Sequence, residues 1–95
     1  MENIPYVINL LRRQAGVVAV ASDFGYESVL LEREELDPNL LPAYFDEIQT
    51  EEEILVHFYV IEEYTIYVIA DVENTSWKLI GIIKNGHLAY NKVFD

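Results

Sequence analysis

The sequence predicts an α+β fold that is mainly antiparallel sheet. Its expected parts are a C-terminal meander of three to four strands, an N-terminal hairpin, an N-terminal helix and a short central helix. Three observations lead there. An amphipathic helical stripe runs through residues 4–15, an Asn85-Gly86 pair separates two β-rich runs, and an apolar content of 52% comes with only 4 Gly and 3 Pro. Asn-Gly between such runs is the strongest short hairpin signal. The composition excludes disordered, collagenous and low-complexity classes. A chain of 95 residues has the size of one domain, taken as residues 1–95.

In the first element, Ile4, Val7, Ile8, Leu11 and Ala15 fall on one helical face. Asn3 can cap the free amides, and Pro5 lies in the first turn, where a missing amide costs nothing. Arg12 and Arg13 suit the negative end of the helix dipole, and Gly16 is the expected left-handed stop. Val17 to Ser22 is a short β-branched run that reads as a strand buried on both faces, followed by a turn at Asp23-Phe24-Gly25-Tyr26. The glycine turn favours a returning strand over Glu27–Arg33, closing the N-terminal hairpin, although Leu30–Leu36 also holds good helix formers.

Asp37-Pro38-Asn39 breaks the chain, and Pro42 places the start of a short helix running to about Gln49, with Tyr44, Phe45 and Ile48 as its apolar face. Ile54–Ile61 is dominated by β-branched and aromatic residues and reads as a central strand, with Thr50–Glu53 as its solvated lead-in. Around Asn85-Gly86, a two-residue turn pairs Lys84 with His87, Ile83 with Leu88, Gly81 with Tyr90 and Trp77 with Phe94. One face then carries Trp77, Leu79, Gly81, Ile83, Leu88, Tyr90 and Phe94 as core, with Tyr90 lying over Gly81. A loop over Glu73–Ser76 sets Asp71 against Lys78 and adds Ile66, Val68 and Ala70 to that face. The other face is apolar too, with Tyr67, Ile69, Ile80 and Ile82, so either the helices cover it or it forms a homodimer.

The net charge is −11, from 17 acidic and 6 basic residues. All of it comes from residues 27–63, where twelve acids face the single base Arg33; both flanking segments are neutral. Such a balance excludes direct binding to a nucleic-acid backbone or an anionic membrane, which need surplus cations. Like charges crowded on one segment destabilise a fold, so folding alone does not account for them. They form either a solvated, solubilising face or a surface for a basic partner.

Cys is absent, which excludes a disulfide framework, a thiolate nucleophile and a Cys-type zinc site, and fits a reducing cytoplasm. No apolar stretch approaches the ~20 residues of a membrane span. Arg12-Arg13 ahead of Ala19-Val20-Ala21 mimics a secretion signal only superficially, because Val17-Val18 is too short an apolar run. The four glycines stand too far apart for a phosphate loop, and Glu51-Glu52-Glu53 lacks the spacing of a calcium loop. His57 is expected to be a hydrogen-bonded core residue and His87 to be exposed. Asn74-Thr75-Ser76 matches a glycosylation sequon without a recognisable secretion signal.

These features predict a non-enzymatic, cytoplasmic protein with no cofactor, metal or catalytic residue. Its acids would engage a basic protein, such as a nuclease or another nucleic-acid-handling enzyme, in the manner of a toxin-immunity protein or a DNA mimic. The candidate contact residues are Glu32, Glu34, Glu35, Asp37, Asp46, Glu47, Glu51, Glu52 and Glu53, with Tyr44 as an aromatic anchor. The rival expectation is a small regulatory or ligand-binding domain acting through the Tyr67, Ile69, Ile80, Ile82 face or as a homodimer through it.

Overall fold

A computed structural model describes residues 4–37 and 52–94. One helix, α1 (Ile4–Ala15), precedes five strands: β1 (Gly25–Glu32), β2 (Glu53–Ile61), β3 (Tyr64–Ala70), β4 (Trp77–Lys84) and β5 (His87–Val93). They form one antiparallel sheet in the order β1-β2-β3-β4-β5. The α+β class, dominated by antiparallel sheet, is as the sequence predicts. The Asn3 cap and the Pro42–Gln49 helix lie outside the described residues.

α1 buries Ile4, Val7, Leu10 and Leu11. The stripe is therefore centred one step from the expected one: Leu10 is buried, whereas Ile8 and Ala15 only pack at its margin. Gly16 ends the helix at φ +71, a left-handed conformation natural to glycine, and donates its amide to the Arg12 carbonyl at 3.0 Å.

Val17–Ser22 does not form the expected strand, so there is no N-terminal hairpin. Asp23 accepts the Val20 amide at 2.9 Å, and a single 3₁₀ turn at Ala21–Asp23 ties Phe24 to the Ala21 carbonyl. Only Ala19 and Phe24 of this stretch are buried, while Val18 and Val20 face solvent. A β-branched run becomes a strand only with a ladder partner. β1 instead pairs with β2 along eight consecutive residue pairs, from Gly25↔Val60 to Glu32↔Glu53.

The meander continues through Glu62-Glu63 and Asn85-Gly86. Asn85 and Gly86 both adopt positive φ, at 50° and 80°, as the tight turn requires. Lys84↔His87 and Ile83↔Leu88 pair as expected, but a register shift between Ile82 and Ile83 then sets Ile82 against Tyr90 and Gly81 against Asn91. The β3–β4 ladder also runs one residue away from the expected pairing, with Val68↔Ile80 and Ile69↔Leu79, and shifts again at Ile69/Ala70. A shift of one residue exchanges the two faces of a strand. The expected single core face is accordingly split. Ile66, Val68, Ile80, Ile82 and Tyr90 pack with α1, beside Trp77 and Phe94. Leu79, Ile83 and Leu88 lie on the opposite face with Ile54, Val56, Tyr67 and Ile69.

The proposed homodimer face is not a face. Ile80 and Ile82 point toward α1, Tyr67 and Ile69 point away, and all four are buried within this chain. The aromatic that covers Gly81 is Tyr67 from β3, not Tyr90: a Cβ at position 81 would stand 2.3 Å from the Tyr67 ring. Trp77 does meet Phe94, with centroids 6.0 Å apart, and meets Tyr6 edge-on at 5.8 Å.

Candidate functional site

The carboxylates predicted to act together come from two stretches, and the β1–β2 ladder brings them to one corner of the sheet. Glu32, the last residue of β1, stands opposite Glu53, the first of β2. The chain leaves β1 through a 3₁₀ turn at Arg33–Glu35. Glu35 turns back to accept the Glu32 amide at 3.1 Å, and the Arg33 amide donates to the Glu52 carbonyl at 2.6 Å. These backbone ties hold Glu32, Glu34 and Glu35 beside Glu52 and Glu53, all five exposed. Asp37 follows two residues after the turn and is exposed as well. Tyr44, Asp46, Glu47 and Glu51 lie outside the described residues.

The crowding has an electrostatic consequence. The carboxyl of Glu32 is held above the ordinary glutamate range, first by a hydrogen bond with Glu34 and then by the negative charges of Glu34, Glu35 and Glu53. Neighbouring negative charges disfavour the ionised form of each other, so the corner gathers carboxylates that repel one another. A guanidinium or ammonium group would relieve it by charge-assisted hydrogen bonds. Strand order sharpens the polarity of the molecule. β1 and β2 contain no lysine or arginine, whereas Lys78, Lys84 and Lys92 all lie on β4 and β5 at the other side of the sheet. Arg33 is the one base within the corner turn. Among the described residues, no group of three or more His, Cys, Asp or Glu side chains could hold a metal ion. No helix there is long and apolar enough to cross a membrane.

A second constellation lies further along the same two strands. His57 on β2 is buried, with Nδ1 2.9 Å from the Tyr26 hydroxyl and Nε2 3.0 Å from Asn74 Oδ1. The amide oxygen accepts only, so Nε2 carries a proton and, in neutral histidine, Nδ1 accepts from Tyr26. Asn74 is presented by the β3–β4 loop at φ +57. Asp71 braces that loop by accepting the Thr75 and Ser76 amides at 2.7 and 3.0 Å, together with the Thr75 hydroxyl. The Thr75 hydroxyl, the two amides and nearby Lys78 together hold Asp71 below the ordinary aspartate range. Both ring nitrogens of His57 are occupied, so the group joins β1, β2 and the β3–β4 loop. His57 is thus the hydrogen-bonded core histidine expected from its apolar setting. Its partners were not legible beforehand, although an asparagine in a loop is a frequent left-handed residue.

A hollow of about 270 Å³ is lined by Gln14, Ala15, Tyr64, Ile82, Lys84 and Tyr90, along with Ala89. It falls just below the roughly 300–1,000 Å³ of typical ligand pockets. Tyr67, Ile69, Ile80 and Ile82, on which the rival expectation rested, are buried within this chain. Comparison with protein-family models, with curated proteins and with solved structures finds no match to this chain.

Proposed function

We propose that the protein is a non-enzymatic acidic binder that inhibits a basic, nucleic-acid-handling partner in the cytoplasm, as a toxin-nuclease immunity protein or a DNA-mimic antagonist does. One observation carries the reading. Carboxylates from two separated stretches meet at the β1–β2 corner, while the lysines of the strands lie across the sheet. Folding concentrates like charge there at a cost in self-repulsion. A basic surface offsets that cost, and complementary fields speed association and reject like-charged competitors. Surfaces built to hold phosphates carry such arrays of cations, which is why a nucleic-acid-handling partner fits best.

The test is partner capture from the native host, followed by association kinetics of wild-type protein and a Glu34→Lys/Glu35→Lys/Glu53→Lys variant at two salt concentrations. The reading expects association that slows steeply with salt and an inhibition that the triple reversal abolishes. Binding that ignores both changes rejects it.

A further inference from the structure

We propose that the outer edge of β1 accepts an extended, cationic segment of a basic protein as an additional strand. This inference rests on the acidic-binder reading and specifies how the partner is held.

The two sheet edges are treated differently by the sequence. Edge strands invite pairing with foreign strands, and proteins usually blunt them with bulges, prolines or lysines. β5 is blunted: the register shift beside Ile82/Ile83 interrupts its ladder, and it carries Lys92. β1 has none of these devices. Its eight pairs with β2 run without a shift, and Gly25–Glu32 contains no proline, lysine or arginine. Among the described residues β1 pairs with β2 alone, so its other side is the outer edge of the described sheet.

The side chains identify the occupant. Tyr26 and Leu30 are 42% and 56% exposed, offering apolar contact beside the edge. Tyr26 is held in place by its hydrogen bond to buried His57, so little ordering remains for it on binding. Glu27 and Glu32 lie on the strand, and Glu34 and Glu35 follow at its end. A second copy of this chain would lay acids against acids under a net charge of −11 on each molecule. A strand rich in lysine or arginine instead meets opposite charge along the edge and at the corner. Main-chain bonds would then supply affinity, and side-chain charge the selection, as in other strand-addition complexes.

The test titrates the full chain with a short synthetic peptide of alternating lysine and valine, matched in length to β1, and with the same peptide N-methylated at alternate residues. Chemical shifts and amide hydrogen exchange are followed residue by residue. The proposal expects slowed exchange for amides within residues 25–32 and about tenfold weaker binding by the methylated peptide, which cannot complete the ladder. Equal binding of both peptides with no protection of β1 overturns strand addition and leaves an acidic corner that binds cations through side chains alone. Failure of both peptides to bind at low salt overturns the strand proposal and the acidic-binder reading together.

Discussion

Replacing Gly81 with alanine probes the packing at the centre of the sheet. The added Cβ would lie 2.3 Å from Tyr67 Cζ, 2.4 Å from Cε1 and 2.5 Å from the hydroxyl oxygen. Tyr67 is only 4% exposed and sits among Ile54, Val56, Ile69 and Leu79, so the ring has no free space to enter. Overpacking of a tight core costs ~1–3 kcal/mol, and contacts this short belong at the upper end. Removing a glycine from a strand returns ~0.5–1 kcal/mol of chain entropy. The net expectation is a loss of about 2 kcal/mol, out of a total stability of roughly 5–14 kcal/mol for a chain of this length. At ~4–8 °C per kcal/mol, Tm should fall by about 8–16 °C. Thermal and urea unfolding followed by circular dichroism measure it. Tyr67→Leu clears the clash, so Gly81→Ala in that background should cost under ~0.5 kcal/mol, a coupling that a double-mutant cycle isolates. Tyr90→Leu should give no such rescue, because Tyr90 is paired with Ile82. A Gly81→Ala variant as stable as wild type, or rescue by Tyr90→Leu, would refute the register.

Asn74→Gly keeps the backbone able to hold φ +57 but deletes the acceptor of His57 Nε2. It should cost ~1–3 kcal/mol in chemical unfolding, the penalty of an unsatisfied buried donor. Glu62 holds φ +51 without being glycine; Glu62→Gly should raise stability by ~0.5–1 kcal/mol in the same assay, since an L side chain in that conformation costs ~1–2 kcal/mol. Glu32 binds a proton more readily folded than unfolded, so stability should rise as pH falls from neutral into the ordinary glutamate range, and Glu32→Gln should flatten that rise in Tm. Asp71 acts in the opposite sense: its contribution is present above the ordinary aspartate range and is lost as pH falls through its lowered value, so stability should turn down again in strong acid.

The parts of the fold that were legible are those with a local signature. α1 has its stripe and its Gly16 stop, and β2 is a continuous apolar run. The β4–β5 turn has Asn85-Gly86, and its first two pairs follow directly from it. Face assignment was not legible because β3 and β4 are buried on both sides. Alternation then carries no contrast to set the register, and the shifts at Ile82/Ile83 and Ile69/Ala70 leave no local mark. Val17–Ser22 misled for a related reason: β-branched composition reports suitability for a strand but not the presence of a partner. The acids themselves were plain in the sequence. Their meeting was not, because the Glu32↔Glu53 pairing is a non-local contact between strands far apart in the chain.

The most direct test of the central claim is the association rate of the captured partner with wild-type protein and with the Glu34→Lys/Glu35→Lys/Glu53→Lys variant, each at low and at physiological salt. These side chains are exposed, and the hydrogen bond from the Glu32 amide to Glu35 that the variant gives up is exposed too, so the variant should remain folded, as its circular dichroism will verify. The account predicts that wild-type association is fast at low salt and falls steeply as charges become screened beyond about 8–10 Å. It predicts that the variant associates more slowly by about tenfold or more, at a rate nearly indifferent to salt. A folded variant that binds and inhibits at the wild-type rate, with the same salt response, would contradict the claim that the β1–β2 corner is the binding surface.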